Sequence, residues 1–265
     1  MRVARRLLLL SLGLLLAGCA AQRRVAPPSA PPTLPSPTEL RAALAARRQD
    51  VRSLRALAHL RYHDPQESSA SREAIVVARP DRLRVEVLSL FGSMFVLTAD
   101  DGMMTAYARR ENTVYRGHTT PENLWRYARL GLPVNELVDI VLGTPELHSA
   151  AAPQVSFDEA AHAVRLQEQS ADGSQLVWFS AAGLPVAAEA RDASGAAEWR
   201  ATFADYQTHD RLPVAMHLNL ELPLWQRSLE IVLDDVDLNP TLDQSVFALQ
   251  TPPGSTVIDL DRAAD

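Results

Sequence analysis

The chain has a single cysteine, Cys19, among its 265 residues. One thiol excludes an internal disulfide, even in an oxidising compartment. Positive charge is also short: 26 Lys and Arg face 32 Asp and Glu, a formal net charge of −6. An acidic body is a poor partner for nucleic acid, whose phosphates demand Lys and Arg, and anionic lipid head groups exert no pull on it. Beyond Leu16 no hydrophobic run approaches the roughly 20 residues that a membrane-crossing helix needs. Catalytic signatures are missing too: there is no Gly-x-Ser-x-Gly, no phosphate loop and no His-Glu-x-x-His. His59 and His63 are four apart, but the pattern around them is strand-like, which argues against a shared metal. Asp234-Asp235-x-Asp237 lacks the glycine and later glutamate of a calcium loop and reads as a solvated strand end. No catalytic residue, metal or cofactor is therefore expected, and the chain does not read as an enzyme.

What is present begins at the N-terminus. Arg2, Arg5 and Arg6 precede an apolar run, Leu7 to Leu16, and then Ala17, Gly18 and Cys19. A basic start, a short apolar stretch and small residues make a secretory signal; ten helical residues span about 15 Å, half a bilayer core. Leu16-Ala17-Gly18-Cys19 resembles a lipobox. That resemblance implies thioether diacylation of Cys19, cleavage after Gly18 and acylation of the new amino group. The alternative is an ordinary signal peptide with an incidental cysteine, but the only cysteine sits at the cut position. Residues 1–18 are thus the expected signal peptide, and losing them takes the net charge from −6 to −9. Two or more lipid attachments hold a protein stably where one short chain does not.

Residues 19–36 read as a tether. Val25 to Pro37 contains six prolines, which favour an extended, semi-rigid chain. From Cys19 to Pro37 it reaches about 50–60 Å at roughly 3.1 Å per residue. Ser36-Pro37-Thr38-Glu39 is a capping box, and Leu40, Leu44, Val51 and Leu54 recur at helical spacing, so a helix is expected from Pro37 to Ser53.

The period then changes to two. Leu60 and Tyr62 alternate with Arg61 and His63, and Leu83, Val85 and Val87 with Arg82, Arg84 and Glu86. Further strands are expected at Phe95–Ala99, Met103–Ala108 (across the turn at Asp100-Asp101-Gly102) and Thr113–Arg116. Thr119 to Gly143 interrupts them with two short helices. Thr119 and Glu122 cap the first, whose face carries Leu124, Trp125, Ala128 and Leu132; Val134, Leu137, Val138, Val141 and Leu142 line the second. A second run of strands follows, ending with Val214–Leu222 and Leu229–Leu233. The fold class expected is mainly β (α+β): one domain, residues 37–265, built as an open antiparallel half-barrel of about 11–12 strands covered by an α-helical lid. A sheet with one apolar face must cover it, and the space under the helices suits an apolar ligand. Candidate lining residues are Leu83, Val85, Phe95, Leu97, Trp125, Leu137, Val141, Met216 and Leu218.

The hairpin Leu88-Ser89-Leu90-Phe91-Gly92-Ser93-Met94-Phe95 is unusually apolar for a link between strands. Leu90 and Phe91 either fold back into the core or project as a membrane probe. Burying one Phe and one Leu contributes roughly 3–6 kcal/mol, enough for transient docking.

Arg84 to Ser93 resembles the strand and protruding loop of the LolB family of outer-membrane lipoprotein receptors. Gly131-Leu132-Pro133-Val134-Asn135-Glu136-Leu137 through Leu142-Gly143-Thr144-Pro145 resembles its lid segment, and Phe247 to Gly254 the end of the wider LolA/LolB-like fold. The likeness is strong over Arg82 to Pro145; Leu90 stands where the family often has Pro, and Phe91 where it has Leu. It implies an open barrel with a helical lid that takes a lipoprotein's acyl chains from a soluble LolA-like carrier and releases them into the outer membrane. The membrane-probing residue would fall on Phe91, beside Leu90. Ala20 after the lipidated cysteine is compatible with outer-membrane sorting. The leading reading is thus a monomeric, lipid-anchored, periplasm-facing receptor of the bacterial outer membrane, working by relative affinity. The alternatives are a lipid-binding or sensor lipoprotein on the same fold and a structural lipoprotein without ligand.

Overall fold

The computed structural model describes residues 34–128, 131–147 and 152–262; the signal segment, Cys19 and most of the tether lie outside them. The capping box at Ser36 forms as its residues require. Glu39 N donates to Ser36 Oγ at 3.2 Å, and Ser36 N donates to the Glu39 carboxylate at 2.7 Å. Helix α1 (Pro37–Asp50) follows, burying Leu40 and Leu44. It stops earlier than the spacing suggests. Val51 is already extended, so Val51 and Leu54 are buried by the strand that begins at Ser53 rather than by the helix.

Fourteen strands among the described residues form one sheet. In chain order they are β1 (Ser53–His63), β2 (Ser68–Ala78), β3 (Arg82–Ser89), β4 (Gly92–Asp100), β5 (Met103–Ala108), β6 (Thr113–His118), β7 (Gln154–Asp158), β8 (Ala163–Gln169), β9 (Gly173–Phe179), β10 (Pro185–Asp192), β11 (Ala197–His209), β12 (Leu212–Leu222), β13 (Arg227–Leu238) and β14 (Thr256–Asp259). Their order is β14-β6-β5-β4-β3-β2-β1-β13-β12-β11-β10-β9-β8-β7, antiparallel throughout except for β14 beside β6. The sheet is open, with β7 and β14 at its edges. Between β6 and β7 lie α2 (Pro121–Ala128) and α3 (Val134–Val141).

The expected 11–12 strands fall short because β2 and β14 carry no clean alternation and β7, though alternating, is only five residues long. The reason is clearest at β2, where Ile75, Val76, Val77 and Ala78 are all buried. Ile75 and Val77 belong to the main core, while Val76 and Ala78 meet Phe247, Leu242 and Val246 on the other face. The chain after β13 supplies that outer cover. Arg84 donates to the Val246 carbonyl at 3.0 Å, and the Arg82 guanidinium stands 5.2 Å from the Phe247 ring centre.

The sheet curls around its helices. Strands β3 and β11 are five spacings apart, about 24 Å if the sheet lay flat. Yet α3, eight residues and about 12 Å long, meets both. Its Leu137 and Val141 share a cavity with Val85, and its Glu136 accepts from Trp199 Nε1 at 2.8 Å. Helix α1 reaches further round, where Arg41 Nε donates to Glu168 of β8 at 2.6 Å. The inner-face residues of the strands and the buried sides of all three helices form one apolar core.

Candidate functional site

A cavity of about 390 Å3 lies between the inner face of the sheet and helices α2 and α3. Leu60, Ile75, Leu83, Val85, Val87, Phe95 and Leu97 line it from β1 to β4, and Leu220, Leu229 and Ile231 from β12 and β13. Tyr127, Leu137, Ile140 and Val141 close it from the helices. Its volume lies within the range of about 300–1,000 Å3 usual for small-molecule sites, and its walls are mostly apolar. Tyr62, Glu67, Ser69, Ser71 and Glu73 are the polar members, all on β1, β2 or the turn between them. A broader hollow of about 520 Å3 on the outer face is lined instead by polar groups such as Arg61, His63, Asn219 and Glu230. An apolar chain has no reason to leave water for it.

Six of the nine residues singled out from sequence line the inner cavity: Leu83, Val85, Phe95, Leu97, Leu137 and Val141. The other three lie elsewhere. Met216 and Leu218 are buried in the main core without reaching the cavity. Trp125 packs outward. The Arg227 guanidinium sits 3.3 Å from its ring centre, and the Trp225 ring lies 5.9 Å away. Arg227 in turn stands 3.8 Å from Asp64, whose carboxylate accepts from Tyr62 Oη at 2.9 Å and from the backbone N–H groups of Gln66 and Glu67. Those backbone bonds hold the Asp64 carboxyl below its ordinary range. Helix α2 is thus clasped at its Trp125 side by β13 and the turn before it. Its cap is Thr120 rather than Thr119: Asn123 N donates to Thr120 Oγ1 at 3.2 Å, while Thr119 bonds the Gly102 carbonyl.

Helix α3 is pinned by charge. Its Asp139, almost fully buried, accepts from Arg48 of α1 at 2.6 Å and also pairs with Arg79 between β2 and β3. Both arginines bond Thr144 just past the helix. Burial, and then the neighbouring Arg48 charge, push the Arg79 guanidinium down to about 10. Gly143, at φ +62, ends the helix in the left-handed region that a side chain disfavours.

The apolar hairpin keeps its tip in solvent. Ser89 pairs with Gly92, so Leu90 and Phe91 are the two turn residues, 98% and 85% exposed. Gly92 takes φ +97. Ser89 Oγ donates to the Gly92 carbonyl at 2.7 Å, Phe91 N donates to Ser89 Oγ, and Arg109 donates to the Phe91 carbonyl at 2.7 Å. The backbone of the tip is therefore fixed while its two side chains have no cover. Strand alternation places this turn at the same end of the sheet as the β1–β2 turn, the end that carries the polar part of the cavity wall. The turn before β13, with exposed Leu224 and Trp225, shares that end.

The sequence missed Leu60, Ile75, Val87, Tyr127, Ile140, Leu220, Leu229 and Ile231 as lining residues. Val87 and Leu220 share a strand face with residues that were named, and Leu60, Leu229 and Ile231 lie on strands that alternate cleanly, so for these five alternation carried the signal. Glu73 had no such signal, since a charged residue in a polar run reads as solvent-facing.

No family model matches the sequence, and no curated protein matches it by sequence. Solved structures do resemble the fold. A DUF1329 family protein from Desulfovibrio piger aligns with a TM-score of 0.56 at 11% identity, covering 80% of this chain and 96% of that one. A LolA superfamily protein from Nitrosomonas europaea aligns with a TM-score of 0.54 at 11% identity, over 82% of this chain and 99% of that one. A Vibrio parahaemolyticus domain named for outer membrane lipoprotein sorting aligns with a TM-score of 0.51 at 16% identity, over 79% and 94%. The fold is therefore LolA-like.

Proposed function

We propose that this chain is a LolB-like lipoprotein that holds the acyl chains of other lipoproteins in the inner cavity and helps deliver them to the outer membrane. The observation that carries the reading is the apolar cavity enclosed by β1–β4, β12–β13 and the α2–α3 pair. In this account α2 and α3 are the lid, and Leu90 and Phe91 the probe that enters the bilayer. Lipid on Cys19 keeps the body at the membrane while the proline-rich tether lets it move. Cargo passes from a soluble carrier to the cavity and on to the bilayer by relative affinity, without bond chemistry. The naming of one fold neighbour for outer membrane lipoprotein sorting agrees with this reading.

The test is a transfer assay. The full chain bearing Cys19→Ala, which blocks lipidation, is mixed with a soluble carrier loaded with a lipidated protein, and the cargo is followed. The reading expects cargo to move to this chain, and onward delivery to liposomes to fall when Phe91→Glu is added. No movement, in a chain that still binds an acyl chain, sinks the receptor role and leaves a lipid-binding or sensor protein on the same fold.

A further inference from the structure

One wall of the cavity is a polar ladder. Along β2, Ser69, Ser71 and Glu73 all face the cavity, successive members about 6.6 Å apart, and Ile75 below them is apolar. Ser69 is exposed, Ser71 half-buried and Glu73 only 7% exposed. Glu73 is therefore the deepest polar group on this wall. Its cross-strand neighbours on the same face are Ala58 and Val87, neither able to bond it. Ser71 Oγ donates to Glu73 Oε1 at 2.8 Å, and among the described residues that is its one partner. No described arginine or histidine meets it. The other ionisable groups among the described residues around the cavity are Glu67, Tyr62 and Tyr127.

A buried carboxyl left half-satisfied in an apolar cavity costs stability, so its presence calls for an explanation outside the fold. What it lacks is a hydrogen-bond donor arriving from the cavity. Resting on the reading that the cavity holds acyl chains, we propose that Glu73 is its specificity-determining residue and selects chains whose head carries an N–H donor, an amide or an amine. An N–H within reach of Glu73 replaces the missing partner, with the chain lying on Val85, Phe95 and Leu97. A free fatty acid brings a second carboxyl to the same place, where two negative charges in a low-dielectric site repel. An ester brings no donor and leaves Glu73 as it was. Burial already pushes the Glu73 carboxyl up, against the lowering effect of the Ser71 hydrogen bond.

The experiment compares four ligands with one saturated chain: N-methyl amide, primary amine, methyl ester and free acid. Each displaces bis-ANS from the full chain bearing Cys19→Ala. The amide is expected to bind about tenfold or more tighter than the ester, the scale of one hydrogen bond to a buried charged acceptor, and the acid is expected to be weakest. Glu73→Met should erase the amide-over-ester preference and admit the acid. Glu73→Gln, which keeps an acceptor but no charge, should retain the preference and also admit the acid. An amine that outbinds the amide assigns the donor to a cationic head, and the reverse to an N-acyl group; both support the proposal. Equal binding of amide and ester, unchanged by Glu73→Met, overturns it while acyl binding stands. Failure of all four to bind, with the fold intact by circular dichroism, overturns the acyl-binding reading and this proposal with it.

Discussion

Asp139 sits where three elements meet, and its chemistry gives it more leverage than its size suggests. Arg48 from α1 and Arg79 from the β2–β3 link both neutralise it, and all three are largely removed from water. Removing one member of such a group leaves charge buried without compensation. Asp139→Ala is therefore expected to cost about 3 kcal/mol or more in a denaturant melt, whereas Arg55→Ala, in an exposed pair with Asp237, should cost under about 1 kcal/mol. Glu73 makes the opposite prediction. Its folded carboxyl is raised by burial, so the native state resists its ionisation. Stability from this group is full below the unfolded carboxyl value of about 4.3, and declines as pH rises from there through the folded value. Glu73→Gln should thus be more stable than the parent at pH 7, with the difference vanishing toward pH 4. Equal melting curves for parent and variant at every pH would contradict the buried, half-satisfied carboxyl.

At the scale of elements, the hairpin and the outer cover separate function from stability. Phe91 touches no core, so Phe91→Glu should change the melting free energy by less than about 0.5 kcal/mol while lowering liposome association. Phe247 is buried against Val76 and Ala78, and Phe247→Ala should cost about 3 kcal/mol. The same two elements mark what the sequence could and could not disclose. Ser36 with Glu39, and the turns at Gly102 and Gly143, are local signals, and the structure places a helix start, a turn and a helix end there. Strands that alternate apolar with polar residues, such as β3 and β12, announce themselves in the sequence. Strand β2 does not, because Phe247, some 170 residues later in the chain, buries its second face. Alternation also gives the face of a side chain but not its depth along the strand. That is why Leu218 was named and Leu220 was not, although only Leu220 reaches the cavity. For Trp125 the helical period placed the residue on the correct element, but its partners Arg227 and Trp225 come from the far end of the chain.

At the scale of the whole molecule, the described residues form one curled sheet drawn around three helices, with a space left unfilled between them. A core of this kind is normally packed to the density of a crystal, so an apolar cavity of about 390 Å3 is a departure that the proposed acyl ligand would explain. The helices facing it are each clasped at one place, α3 by Asp139 near its C-terminal end and α2 by the Trp125–Arg227 contact in its middle, while their apolar sides look inward. Those clasps set how readily the proposed lid lifts. Arg227→Ala, which frees Trp125, is expected to speed both entry and release of a fluorescent acyl chain more than it alters affinity. The proposed function requires that this inner space take an acyl chain. Its most direct test is a titration of a fluorescent acyl amide into the full chain bearing Cys19→Ala, and into the same chain with Val85→Trp, which fills the space from β3. Saturable binding that disappears in the folded Val85→Trp protein is the result this structure predicts; binding that is absent, or untouched by the filled cavity, would contradict it.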